Sequence, residues 1–134
     1  MKITLKTTDD TLDHYVGINE KGHEIKLSGD GTAMGPMESL LVAAAGCSTI
    51  DIVMILKKMR QGITNVEVEV EGTRREEVPR LYTAIHLHYK IYGEVKDTKA
   101  AQAMEMSLEK YCSVSLMLGK AAKMTGSYEV VAGS

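Results

Sequence analysis

The sequence of 134 residues contains neither tryptophan nor phenylalanine, and it has only two prolines and two cysteines. Without the largest apolar aromatics, the hydrophobic core must be built from aliphatic residues, six tyrosines and nine methionines. Two cysteines cannot form a scaffold of several disulfides, and a chain of this length can bury a core without any. We therefore expect a globular protein whose cysteines are free thiols or a transient redox pair.

The sequence also has no excess of positive charge, since it contains 16 basic and 18 acidic residues and its net charge is -2. Nucleic-acid-binding domains carry a basic surface, so we expect no nucleic-acid partner. The longest apolar run, at 40–56, is interrupted by Ser48, Thr49 and Asp51, and no signal-like segment opens the chain. This pattern predicts a cytoplasmic protein without a membrane span.

Apolar and polar residues alternate in three short N-terminal segments, 2–6, 14–18 and 23–27, which predicts an antiparallel sheet. A second sheet is predicted from segment 65–72, where valines alternate with glutamates, and from segment 81–93. The charges of the two segments are complementary, because histidines and a lysine of the second would face the glutamates of the first.

A long apolar helix is predicted between the two sheets. Gly35 and Pro36 suit its N-terminus, and the pattern continues to about Met59 with so few polar positions that we expect burial on most faces. The remaining segments are predicted to form two further helices, 97–109 and 113–123, and a closing strand, 127–131. This order of elements predicts an α+β fold in a single domain, 1–134.

The two cysteines differ in their local surroundings. Cys47 lies inside the apolar run GPMESLLVAAAGCSTID, where burial and the nearby Asp51 would both raise the pKa of its thiol. An inert core thiol and a buried nucleophile both stay open for Cys47, which we expect to react only if Lys26 or another first-sheet base reaches it. Cys112 precedes a predicted helix whose first amides favour an anion, so we expect Cys112 to be the stronger acid.

Two segments, PMESLLVAAAGCSTIDIV and EKYCSVSLMLGKA, together resemble the OsmC/Ohr family of osmotically induced and organic-hydroperoxide-resistance proteins. In that family a Pro-Glu-led central helix carries one cysteine, and a second cysteine opens a later helix, usually within a Cys-Pro-Val-Ser motif. The strand order is similar too, so the resemblance spans essentially the whole chain. It implies an N-terminal antiparallel sheet, a long buried central helix, a second antiparallel sheet and C-terminal helices, in an intertwined homodimer with active sites at the subunit interface.

The resemblance also implies thiol-dependent reduction of organic hydroperoxides. The cysteine matching Cys47 attacks the peroxide, the one matching Cys112 resolves the sulfenic acid as a disulfide, and a dithiol reductant restores both thiols. A first-sheet arginine and a glutamate at the start of the central helix assist in the family. This chain has no arginine before Arg60, and Glu38 stands one position after the place of the family's carboxylate.

Several residues are candidates around the thiols. Met37 and Met54 could line an apolar pocket, Ser113 adds a hydroxyl next to the second cysteine, and Lys26 could supply the missing positive charge. Glu38 is the candidate catalytic carboxylate, although at nine residues before the first cysteine it projects to roughly the opposite helix face. Its alternative role is to complement the positive end of the helix.

Two other interpretations of the whole protein stay open. One is a catalytically weak dimer that binds a small apolar or redox-active ligand at the subunit interface, and the other is a purely structural dimer with inert cysteines. We expect no metal, because His86 and His88 provide only two visible ligands and are more typical of a solvated strand face. No cofactor is expected. The two thiols are predicted to lie close enough for a bridge, with Cα atoms within about 7 Å.

Overall fold

The computed structural model describes residues 1–132, and the chain forms two compact units, Met1–Leu40 and Leu41–Ser134. Within them lie two three-stranded sheets and three α-helices, which confirms the α+β class. The expectation of a single domain stays a prediction. In chain order the elements are β1 (Ile3–Thr7), β2 (His14–Asn19), β3 (Glu24–Ser28), α1 (Pro36–Lys58), β4 (Gly62–Arg74), β5 (Tyr82–Glu94), α2 (Asp97–Met106), a π-helical turn (Ser107–Tyr111), α3 (Ser113–Leu118) and β6 (Lys123–Val131).

The N-terminal unit contains the predicted antiparallel sheet, with strand order β1-β2-β3. The turn between β2 and β3 is held by Asn19, whose side-chain oxygen accepts hydrogen bonds from the backbone N–H groups of Lys21 and His23 at 3.0 and 2.9 Å. Gly22 has a φ of +86° in this turn, a conformation that glycine adopts without steric cost. The alternation of the sequence and this turn chemistry together determine the sheet.

The second sheet has the order β4-β5-β6, and β5 is its central strand. β4 and β5 are antiparallel as predicted, but β6 runs parallel to β5, so the sheet is mixed and not wholly antiparallel. One face of β5 forms the centre of the core through four fully buried side chains: Ile85, Leu87, Tyr89 and Ile91. On the other face His88 and His86 stand opposite Glu69 and Glu71 of β4, so the histidines pair with the acidic strand as predicted.

Helix α1 starts at the predicted Pro36 and ends at Lys58, one residue before the predicted end. In the single chain it is buried along one stripe only, formed by residues spaced four apart: Ala44, Ser48, Ile52 and Leu56. Other apolar side chains of α1 are exposed, so the expectation of burial on most faces does not hold within one chain. Within residues 1–132, α1 alone has the length and hydropathy of a membrane span, a criterion that the core helix of a water-soluble protein also meets.

The C-terminal segments differ from the sequence prediction in two places. The first predicted helix ends as α2 at Met106 and continues as a π-helical turn, while α3 ends at Leu118, well before the predicted residue 123. Lys123 already belongs to β6, which runs alongside β5 from this residue. Gly126 of β6 permits close packing, because a Cβ there would lie 2.5 Å from Cδ1 of Leu108.

Candidate functional site

The structure brings the two cysteines together. Cys47 lies half-buried in the middle of α1, and Cys112 is fully buried at the N-cap of α3. Both are free thiols, and their sulfur atoms and a carboxylate oxygen of Asp51 all lie within 4.8 Å of one another. The two thiols are therefore near each other, while the expected Cα separation of about 7 Å or less stays a prediction. The α1 stretch between Cys47 and Asp51 forms one side of the site.

The π-helical turn positions Cys112. The N–H of Cys112 donates to the carbonyl oxygen of Ser107 at 2.7 Å, and the chain then leaves the helical conformation, with φ −76° and ψ 103° at Cys112. The N–H of Ser115, in the first turn of α3, donates to Sγ of Cys112 at 3.4 Å. This break between two helical segments places the sulfur beside α1, and π-helical turns are frequent at functional sites.

Burial raises the pKa of the Cys112 thiol, and the neighbouring Cys47 raises it further. Hydrogen bonding from Ser115 opposes this rise without overcoming it. The expectation that the helix start lowers the pKa of Cys112 is therefore wrong. The physical reason is that a six-residue helix supplies one N–H to the sulfur, while the surrounding core removes all of its water.

Asp51 is held next to the thiols by Ser107. The Ser107 hydroxyl lies 3.1 Å from Oδ2 of Asp51 and 3.2 Å from the carbonyl oxygen of Ser48, and it can donate to either. Asp51 follows Cys47 by one helical turn, so the two share a face of α1, as the sequence indicates. A carboxylate this close disfavours a thiolate, so the site as a whole needs positive charge to hold its fully ionised form.

A second buried hydroxyl network lies behind the site. The hydroxyl of Tyr89, on β5, donates to Oγ of Ser48 at 2.6 Å, and Ser48 donates in turn to the carbonyl oxygen of Ala44 at 2.8 Å. Burial raises the pKa of Tyr89 to about 12, and the nearby Cys112 and Asp51 contribute to the rise. Tyr89 is therefore a neutral hydrogen-bond donor at physiological pH and fixes α1 against the central strand.

A pocket of about 530 Å³ shares Asp51 with the cysteine cluster. Its lining is mostly apolar and rich in methionine: Asp51, Met54, Ile55, Lys58, Met59, Met106 and Tyr111. Of the predicted binding residues, Met54 lies here. Lys58 is the cation of the pocket, but it follows Asp51 by seven residues and so by about 10 Å along the helix.

The structure places the other predicted site residues as follows. Glu38 is exposed in the first turn of α1 and accepts a hydrogen bond from the N–H of Gly35 at 3.0 Å, as a capping carboxylate does. Lys26, exposed on β3, lines a pocket of about 390 Å³ in the N-terminal unit, and the half-buried Met37 belongs to the same unit. Ser113 is exposed at the first residue of α3.

Sequence reasoning did not identify Ser107, Tyr89, Lys58 or Tyr111 as residues around the site. Ser107 lies 56 residues from Asp51 and Tyr89 lies 41 residues from Ser48, so no local pattern links them. The one available signal was Ser48, a polar residue on the inner stripe of an apolar helix, because a buried hydroxyl requires a partner.

Comparison with known proteins agrees with this architecture. The model of the OsmC-like protein family matches residues 29–126, which is most of the chain, and this protein belongs to that family. The protein YhfA of Escherichia coli K12 is 50% identical over 121 residues, which cover 88% of this chain and 90% of YhfA. The resemblance found in the cysteine-containing segments is thus confirmed.

Two solved structures show the same fold. A hypothetical protein from Aquifex aeolicus VF5 superposes with a TM-score of 0.86 at 31% identity, covering 100% of this chain and 99% of its own. An organic hydroperoxide resistance protein OsmC from Legionella pneumophila superposes with a TM-score of 0.72, covering 96% of this chain and 97% of its own. At 16% identity the second likeness concerns the fold alone.

Proposed function

We propose that this protein is a thiol-dependent peroxidase that reduces organic hydroperoxides through Cys47 and Cys112. The observation that carries the proposal is the approach of the two sulfurs to within 4.8 Å, next to an aspartate that also lines an apolar pocket. The Legionella structural neighbour is named for organic hydroperoxide resistance, which supports the same class of substrate.

The two cysteines suit different steps. Cys47 is the less buried of the two cysteines, so we assign it the attack, as a thiolate, on the outer oxygen of the peroxide. The O–O bond breaks, and the departing alkoxide takes up a proton and leaves as an alcohol. Cys47 is left as a sulfenic acid. The thiol of Cys112, buried with a raised pKa, then attacks the oxidised sulfur, and a disulfide and water form. An external dithiol reduces the disulfide and restores both thiols.

Formation of a thiolate at this site is opposed by the carboxylate of Asp51, an oxygen of which lies within 4.8 Å of both sulfurs. A cation is needed to favour the thiolate. We assign this role to Lys26 from the sequence, with Glu38, Met37 and Ser113 as further contributors to substrate handling. Replacement of Lys26 by methionine removes this positive charge and is expected to lower the peroxidase rate at neutral pH.

We further propose that the active form is a cytoplasmic homodimer. Large apolar side chains of α1 lie exposed in the single chain, with Ile50 at 67% and Val42 at 54% exposure. A second copy would cover this face, since soluble proteins rarely leave such a stripe in contact with water. A monomer mass in solution at micromolar concentration would contradict the dimer.

A second candidate function is the binding of a small apolar or redox-active ligand by a catalytically weak dimer. The methionine-rich lining of the pocket favours it, because flexible thioether side chains adapt to different apolar ligands. Saturable binding of an apolar ligand together with no hydroperoxide turnover would support this alternative over the first.

The test is steady-state consumption of cumene hydroperoxide with dithiothreitol or dihydrolipoamide as the dithiol and with a monothiol for comparison. We expect turnover with the dithiols, background rates for Cys47→Ser and a large loss for Cys112→Ser. Ser127→Ala, on the outer face of the second sheet, is the control and should keep the wild-type rate. A wild-type rate equal to that of Cys47→Ser would refute the peroxidase proposal.

A further inference from the structure

The cysteine cluster also has the composition of a metal site. Sγ of Cys47, Sγ of Cys112 and a carboxylate oxygen of Asp51 lie within 4.8 Å of one another. Around a tetrahedral zinc ion, with bonds of about 2.3 Å to sulfur and about 2.0–2.2 Å to oxygen, such ligand atoms stand about 3.5–3.8 Å apart. Ligation therefore requires the three atoms, which lie within 4.8 Å of one another, to come closer by up to about 1 Å.

We propose that the reduced protein binds one Zn²⁺ ion between Cys47, Cys112 and Asp51. Three protein ligands leave a fourth position for water or another small ligand, and one of the three, Asp51, also lines the neighbouring pocket. The site requires reduced thiols, but it does not depend on the proposed peroxidase activity.

Charge balance supports a cation here. Fully ionised, the three ligands would bring three negative charges into a largely buried volume. Within residues 1–132, the ligands accept hydrogen bonds from the hydroxyl of Ser107 and from the N–H of Ser115. Neither of these donors carries a charge. A divalent cation would offset two of the three charges, and it would bind the thiols as thiolates.

The hydrogen bonds around the cluster are of the kind that orient metal ligands. Ser107 holds Oδ2 of Asp51 at 3.1 Å, and the N–H of Ser115 contacts the sulfur of Cys112 at 3.4 Å. Such outer contacts fix the direction of the ligand atoms and increase metal affinity. Two thiolates favour zinc over magnesium or calcium, which prefer all-oxygen sites.

A bound zinc ion would change the chemistry of the thiols. Both sulfurs would use their electron pairs for the metal, so zinc binding and a Cys47–Cys112 disulfide exclude each other. Zinc would therefore protect the reduced pair from oxidation.

The experiment is a zinc titration of the full-length, fully reduced protein against a chromophoric chelator under anaerobic conditions. We expect one zinc per chain, at least about 100-fold weaker binding after Cys47→Ser or Cys112→Ser, and about 10- to 100-fold weaker binding after Asp51→Asn or Ser107→Ala. Asp10→Asn is the matched control and should bind as the wild type does. A double variant, His86→Ala with His88→Ala, tests for adventitious binding on the sheet face and should also keep the affinity.

A second measurement uses the wild-type protein and so does not depend on the folding of any variant. Added zinc should slow the alkylation of both cysteines by iodoacetamide, followed by mass spectrometry, and cobalt in its place should give thiolate-to-metal absorption. Failure of zinc to bind or protect the thiols, unchanged affinity in Asp51→Asn, or loss of binding in the histidine double variant would each overturn the proposal. Turnover is measured with a chelator present, so a failed peroxidase proposal and a failed zinc proposal give separate results.

Discussion

Tyr89→Phe removes the donor of a buried hydrogen bond, and Ser48→Ala removes its acceptor. The structure predicts that the two substitutions lower the free energy of unfolding by different amounts. The Tyr89 hydroxyl donates to Oγ of Ser48 at 2.6 Å, and both residues are 0% exposed. In Tyr89→Phe, Ser48 still donates to the carbonyl oxygen of Ala44, so we expect a loss of about 1 kcal/mol in the free energy of unfolding. In Ser48→Ala the phenolic hydroxyl stays buried without its acceptor, and we expect a loss of about 2–3 kcal/mol.

The double variant distinguishes this explanation from a simple loss of packing. Because the phenylalanine side chain introduced by Tyr89→Phe has no hydroxyl to leave unpaired, the double variant should cost less than the sum of the single variants by about 1 kcal/mol. Urea unfolding at one fixed protein concentration measures these values, with about 1 kcal/mol corresponding to a midpoint shift of about 0.3–1 M. The reasoning would be refuted if the two single variants lost equal free energy of unfolding and the double variant lost the sum of the two.

Burial of the Tyr89 hydroxyl also makes stability depend on pH. Burial raises the pKa of Tyr89 to about 12, from 10.0 in its unperturbed state, so the folded form favours the neutral phenol. This contribution is fully present below pH 10 and is lost as the pH rises through the folded-state value of about 12. At about 1.36 kcal/mol per pKa unit, the wild type should lose about 2–3 kcal/mol relative to Tyr89→Phe over this range. If the free energy of unfolding depended on pH in the same way in the wild type and in Tyr89→Phe, the burial argument would be contradicted.

Two further pairs of substitutions test the packing by urea unfolding. Ile52→Ala, at a side chain that is 0% exposed, should cost about 2–5 kcal/mol, whereas Val78→Ala, at 89% exposure, should cost less than about 0.5 kcal/mol; similar costs would contradict the assigned core. Gly93→Ala should cost more than about 3 kcal/mol, because φ is +119° and the added Cβ would overlap the carbonyl oxygen of Gly62. At Gly22 φ is +86° and an added Cβ would meet no atom within 4 Å, so Gly22→Ala measures the backbone strain alone, which we expect to cost about 1 kcal/mol. An equal loss of stability at both glycines would contradict the overlap expected at Gly93.

The parts of the fold that carry strong periodicity could be predicted from the sequence. The start of α1 at Pro36 and the alternating strands β4 and β5 follow from local patterns and capping residues. The parallel pairing of β6 and its early start at Lys123 could not be predicted in this way. Segment 123–126 has no clear alternation, and the direction of pairing depends on how the preceding helices return the chain to β5.

Residues of the site could be predicted only where a local sequence pattern or the family resemblance included them. The resemblance indicated that Cys47 and Cys112 belong together, and helical periodicity placed Asp51 beside Cys47. The contributions of Ser107 and Tyr89 depend on packing between segments far apart in sequence, so they required the structure. The acidity of Cys112 was mispredicted because its position at a helix start does not show how completely the core excludes water.

The most direct test of the account is a single turnover of the fully reduced protein with one equivalent of cumene hydroperoxide, quenched by alkylation and followed by peptide mapping. If Cys47 and Cys112 act as one redox pair, both thiols should disappear together, and one Cys47–Cys112 disulfide within the same chain should form for each equivalent of alcohol released. Two alkylated thiols with the hydroperoxide unconsumed, or a disulfide joining cysteines of different chains, would contradict the account.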